Sequence, residues 1–246
     1  MRGWPAPALV NCRLRDLTRA QVDGCDHTDM ELIDLSHVIE DGMVTYPGLP
    51  GPEISEHLSF DESRAHYAAG TEFTIGRISL VANTGTYLDT AAHRYRGGAD
   101  LGRLPLEHCA LLPGVVVDGG AVIGPDDFEG VDLDLEGCAV LLRTGWDRHW
   151  GTDAYGDAAH PFLSEAGAQR LVATGAALVG IDSVNIDDTS AGARPAHSVL
   201  LAADIPVVEH LTGLHALPRS GFRFTAVPPA VRGLATFPVR AFAAVE

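Results

Sequence analysis

The sequence predicts an α/β fold, a single domain with a mixed, largely β core flanked by a few helices. Three observations carry this. Short apolar runs recur along the chain at Gly114-Val-Val-Val-Asp118, Cys138-Ala-Val-Leu-Leu-Arg143 and Ala177-Leu-Val-Gly-Ile181. Runs of this length, rich in branched residues, read as buried strands. Helical stretches are few for the length, so the strands are not all joined by crossover helices. Finally, no repeat, low-complexity segment or interior linker divides residues 30–246.

The remaining elements follow in order. Glu31 to Ile39 reads as a short strand and turn. Gly42 to Pro52 is dense in glycine and proline, which loosen the backbone and remove donors, so it is an irregular loop fit to line a site mouth. In Phe73 to Ala82, Phe73, Ile75, Ile78 and Val81 intersperse with polar residues, a strand pattern that runs into Asn83-Thr-Gly-Thr86. Gly124-Pro125, followed by acids, marks a helix start. Ser164 to Thr174 is a helix with Ser164 as N-cap and Gly175 past its end. Ile205 to Val208 is a strand that ends at Glu209.

Composition bounds the function. The 246 residues suit one large domain, and a 46% hydrophobic share can fill a core. The formal charge of −16 (17 basic against 33 acidic residues) would repel phosphates, which argues against nucleic-acid partners and anionic membrane surfaces. Cys12, Cys25, Cys109 and Cys138 form no Cys-x-x-Cys pair, a sparse usage that fits a reducing cytoplasm and disfavours a structural zinc cluster. Residues 1–29 carry several arginines without a continuous apolar stretch, so a signal peptide is not expected. They read as a peripheral extension without a catalytic role, with a start at Met30 as the alternative. No run approaches the ~20 apolar residues of a membrane helix.

The chemistry concentrates in Asn83-Thr-Gly-Thr-Tyr87-Leu-Asp89-Thr-Ala-Ala-His93. Gly85 permits a tight turn. Asp89 and His93 are four apart and share a face if the segment turns helical. The acid could orient the imidazole or bind a metal, and the imidazole could act as a general base. A surface turn with an ordinary Asp and His is the plainer alternative. A second feature is Arg194-Pro-Ala-His197, with Glu209 twelve residues beyond His197 and a buried strand between them. A satisfied core histidine is the plainer alternative there. His108, His149 and His160 read as loop histidines and His37 as part of a turn. Arg143 and Arg194 are candidate carboxylate anchors. No Gly-x-Ser-x-Gly elbow or phosphate-binding glycine loop is present.

Together the two features resemble the cyclase superfamily that includes bacterial kynurenine formamidases and isatin hydrolases. That family carries His-x-Gly-Thr-His-x-Asp-x-Pro-x-His, then a later His and a Glu twelve residues on. Gly85, Thr86, Asp89, His93, His197 and Glu209 fall on matching positions. So do Asp34-Leu-Ser-His37, Tyr46-Pro-Gly48, Arg143-Thr-Gly-Trp146, Gly180-Ile-Asp-Ser183 and the closing Phe237-Pro-Val-Arg-Ala-Phe242. The sequence departs from the pattern where Asn83 and Tyr87 replace two metal-binding histidines, Ala91 replaces the proline, and Tyr46 replaces a substrate-stacking tryptophan.

The resemblance implies a swivelling β/β/α cyclase-like domain over residues 30–246. It implies a hydrolase of a small cyclic or aromatic amide, lactam, lactone or ester, with Asp89 and His93 catalytic. Asp89, His197 and Glu209 would hold one divalent ion such as Zn²⁺ or Mn²⁺, with Asn83 a weak further donor, and a metal-free site is the other reading. A protonated phenol is a poor ligand, so Tyr87 argues against a second ion. Tyr46, Asn83 and Tyr87 would contact a small-molecule substrate. A homo-oligomer, dimer or tetramer, is implied as well. A lyase or cyclase using the same acid–base groups, and a binding protein without activity, are the rival readings.

Overall fold

The computed structural model describes residues 30–129 and 134–245. The expected extension, with Cys12 and Cys25, lies outside the described residues. The strands are β1 (Glu31–Asp34), β2 (Glu53–Leu58), β3 (Ile75–Ser79), β4 (Tyr87–Asp89), β5 (Leu112–Asp118), β6 (Val122–Ile123), β7 (Ala139–Arg143), β8 (Phe162–Leu163), β9 (Leu178–Ile181), β10 (Val207–Glu209), β11 (Phe222–Thr225), β12 (Thr236–Pro238) and β13 (Phe242–Val245). The α-helices are α1 (Phe60–Ser63), α2 (Glu165–Ala173) and α3 (Pro195–Ala202).

Nine strands form one mixed sheet in the order β1-β13-β11-β5-β7-β9-β10-β4-β12. Its centre, β5-β7-β9-β10, is parallel, and both flanks are antiparallel. The expected fold class therefore holds. Successive strand residues point to opposite faces, so the apolar runs split between two cores. Val115, Val117, Val140, Leu142, Val179 and Ile181 pack with Leu171 of α2 and Leu200 of α3. Val116, Leu141, Leu178 and Val208 pack on the other face with Leu88 and Phe224. Gly180 lets that face close tightly, because a Cβ there would stand 2.6 Å from Leu211 Cδ1 and 2.9 Å from Leu141 Cδ2.

The structure corrects several local expectations. The segment from Pro195 to Ala202, for which the sequence reading named no element, is a helix. Its start is signalled by Pro195 in the first turn, but the apolar run that follows looks the same in either state. Gly124-Pro125 opens only a 3-10 turn, Pro125–Phe128. His160 is buried rather than a solvated loop residue, hydrogen-bonded to Thr189 and the Pro161 carbonyl. The strand expected over residues 73–82 shortens to β3 and pairs with β2 in a separate hairpin. Among the described residues no helix is long and apolar enough to cross a membrane.

Candidate active site

Strand register assembles the site on the α3 face of the sheet. β4 lies between β10 and β12, with Glu209 opposite Tyr87 and Thr236 opposite Asp89. Residues directly opposite in an antiparallel pair share a face, and Leu88 between them points to the other core. Gly85, at φ +63°, turns the chain into β4, and its N–H donates to Thr45 Oγ1 at 2.8 Å.

Asp89 is fully buried and Thr236 donates its hydroxyl to Asp89 Oδ1. His93 follows on the 3-10 turn Ala91–His93, which brings its Nδ1 to 3.3 Å from Asp89 Oδ1 and 2.9 Å from Thr236 Oγ1. The only hydrogen on that threonine oxygen is given to Asp89, so the oxygen accepts from His93 Nδ1–H. In the neutral ring, Nε2 is then the nitrogen with the lone pair. At 34% side-chain exposure, His93 is the solvent-facing member of the cluster.

α3 supplies His197 from above. The Asp187 carboxylate accepts the N–H groups of Ala196 and His197, capping the first turn of α3, and accepts His197 Nδ1–H at 2.6 Å. This fixes the ring and directs Nε2 at the sheet. There it stands 3.7 Å from Asp89 Oδ2 and 3.6 Å from Glu209 Oε1. Burial alone would lower its pKa; Glu209, the hydrogen bond to Asp187 and Asp89 outweigh that and raise it to about 10. His197 Nε2 and Asp89 Oδ2 are buried and hydrogen-bond to no described residue. Asp89, His93 and His197 each place a ligand atom within 4.8 Å of the others.

Glu209 is held on both oxygens. Oε1 accepts the Ile186 N–H at 2.6 Å, and Oε2 accepts the Tyr87 hydroxyl at 2.6 Å. Burial raises the Glu209 pKa and the neighbouring His197 opposes that. Tyr87 is itself buried, and burial with the negative charges of Glu209 and Asp89 keeps its phenol protonated.

The structure thus brings together Asp89, His93, His197, Glu209 and Tyr87, with Asn83 half-buried beside the Tyr87 hydroxyl. Among the described residues Tyr46 makes no side-chain hydrogen bond to this group; its carbonyl accepts the Leu49 N–H. Its neighbours Thr45 and Pro47 line a cavity of about 770 Å³ beside the β4 turn, and Tyr46 itself is half-buried in the loop. Arg143 pairs with Asp118 at 2.6 Å, and Arg194 binds the carbonyls of Asp188, Ala191 and Ala193. Asp187, Thr236, His210 and Tyr155 are site neighbours that sequence reasoning missed. His210 offered a signal, since it adjoins Glu209; Asp187 and Thr236 meet the site only through the fold.

The chain is similar to known proteins over most of its length. The Cyclase family model matches residues 33–188. A kynurenine formamidase of Bordetella avium is 28% identical over 173 residues, covering 68% of this chain and 78% of that protein. One of Sphingopyxis alaskensis is 26% identical over 215 residues, covering 85% and 95%. Among solved structures, isatin hydrolase A from Labrenzia aggregata, bound to benzyl benzoate, superposes with a TM-score of 0.76 at 20% identity, covering 92% of this chain and 98% of that one, a likeness of fold. The chain belongs to the Cyclase family, as an enzyme of the hydrolase class.

Proposed function

We propose that the chain hydrolyses a small aromatic or cyclic amide, lactam, lactone or ester. The observation that carries this is the convergence of His93, Asp89 and His197, with His93 Nε2 left free to take a proton. His93 Nε2 removes a proton from water as its oxygen adds to the carbonyl carbon, and returns it to the departing nitrogen or oxygen as the tetrahedral adduct collapses. Asp89 and Thr236 hold the ring in that tautomer and balance its transient charge. The Tyr87 hydrogen is engaged on Glu209, so the half-buried Asn83 amide beside it would be the side-chain donor for the developing oxyanion.

The donor set fits one divalent cation. Asp89 Oδ2 and His197 Nε2 are buried and face each other with no hydrogen-bond partner among the described residues, and a cation would satisfy both; Glu209 Oε1, which already accepts the Ile186 N–H, stands beside them as a further donor. Asp89, His197 and Glu209 would hold it, leaving His93 for proton transfer; His93 can replace Glu209 in the set by position. Such an ion would polarise the carbonyl and acidify water.

None of Asp89, His93, His197 and Glu209 lines the 770 Å³ cavity, which meets them only through Tyr155 and His210; as a place for the remote part of a substrate it would suit a neutral or cationic aromatic group. His37 stacks on Trp150 at 3.7 Å, and Glu40 and Asp153 also line the cavity. Those carboxylates disfavour a substrate of net negative charge. The homo-oligomer that the family resemblance implies would use the β2–β3 hairpin, which turns Ile54, Ile75 and Ile78 to solvent. A panel of formanilides, lactams and aryl esters, each with and without a carboxylate, tests the reading. Turnover of the neutral members is expected; a protein that binds them without turnover would overturn it.

A further inference from the structure

Behind Glu209 runs a buried row of side chains that the hydrolytic reading does not use. Tyr87 Oη lies 3.3 Å from His210 Nε2, and His210 Nδ1 lies 2.8 Å from Tyr155 Oη. All three residues are buried, at 4% exposure or less. Tyr155 also forms part of the wall of the 770 Å³ cavity, edge-on to Trp150 at 4.9 Å.

Counting hydrogens fixes the direction of every bond. The single Tyr87 hydroxyl hydrogen is donated to Glu209 Oε2. The phenol oxygen can therefore only accept from His210, which requires Nε2–H. Nδ1 of the neutral ring then carries a lone pair, and Tyr155 donates to it. The three bonds point one way, Tyr155 to His210 to Tyr87 to Glu209, and each donor is polarised by the next.

The backbone supports the same placement. His210 sits at φ +57°, in the left-handed region that favours glycine. Thr86 Oγ1 donates to its carbonyl at 2.6 Å and so ties His210 to β4. An imidazole is thus held where the backbone alone would favour a residue without a side chain.

We propose that Tyr155 and His210 are positioning residues. Through Tyr87 they hold the Glu209 carboxylate in one rotation, with Oε1 presented to His197, and they link that orientation to the wall of the 770 Å³ cavity. The proposal rests on the site geometry; only its kinetic arm depends on hydrolysis.

The test is a long-range ¹H–¹⁵N histidine spectrum of the full chain, with the His210 signals identified by their absence in His210→Gln. The expected result at neutral pH is the Nε2–H tautomer. An Nδ1–H ring, an imidazolium or an averaged pair of tautomers would overturn the proposal. Tyr155→Phe keeps the ring and removes the donor, and it identifies His210 by its shift should His210→Gln fail to fold. Tyr155→Phe is expected to mix the two His210 tautomers and lower kcat roughly five- to tenfold, the loss of about one hydrogen bond, with KM little changed. An unchanged spectrum and kcat would overturn the proposal. An Nε2–H ring in a chain without turnover on any substrate upholds the hydrogen-bond row and overturns the hydrolase reading alone.

Discussion

His197 Nε2 and Asp89 Oδ2 face each other at 3.7 Å inside the protein, and neither hydrogen-bonds to any described residue. Two polar atoms left this way are costly unless something bridges them. Asp187 maintains the arrangement, because its carboxylate fixes both the α3 N-terminus and the His197 ring. Asp187→Asn is expected to weaken binding of Zn²⁺ or Mn²⁺ by roughly 10–100-fold. Calorimetric titration of chelator-treated protein measures this, and equal affinity in the variant would remove Asp187 from the site.

His93 and His197 are separable. His93 is at the rim, and His197 is buried under α3. His93→Ala is expected to keep the fold and any bound ion while lowering kcat by about 10²–10⁴, the usual worth of a general base. His197→Ala is expected to lose the ion. Elemental analysis beside steady-state kinetics makes the comparison; a His93→Ala protein that turns over at the parent rate ends its assignment as base.

The legible part of this site was the part carried by local spacing. Asp89 and His93 are four apart and do meet, although through a strand end and a 3-10 turn rather than a helix. The buried central strands were legible because both faces of a covered parallel strand are apolar. Asp187 and Thr236 were not, since their roles arise from a helix N-terminus and a strand register set by distant residues. α3 was hidden for another reason: an apolar run bounded by proline and Ala-Ala-Asp has no period that separates helix from strand.

Stability should depend on acid through His210. Burial, with His37 nearby, lowers its pKa to about 3, against about 6.5 in the unfolded chain. Between those values the unfolded chain binds a proton that the folded one lacks, so stability falls as pH drops through the window. One such group contributes a slope of up to about 1.4 kcal/mol per pH unit. His37, lowered to about 4 chiefly by burial, acts in the same direction. His197 acts oppositely in the ion-free protein: its contribution is present below about pH 6.5 and is lost as pH rises towards 10. Urea unfolding of chelator-treated protein should therefore show highest stability near neutrality. His210→Gln is expected to flatten the acid limb, and an unchanged acid limb would contradict the assignment.

Tyr87 provides the sharpest separation of stability from chemistry. Its ring fills the space beside β10, and its hydroxyl satisfies one oxygen of a buried carboxylate. Tyr87→Phe keeps the ring and strips Glu209 Oε2 of that donor. Leaving a buried acceptor unsatisfied costs about 1–3 kcal/mol, so a lower melting temperature is expected. The lost donor also leaves the Glu209 charge less stabilised, which favours its protonated form. The variant should then bind a divalent cation more weakly at mildly acidic pH than at alkaline pH, by a larger ratio than the parent. Paired thermal melts and cation titrations at the two pH values test this. A variant that melts lower with the parent's pH ratio would limit Tyr87 to packing and hydrogen-bond satisfaction.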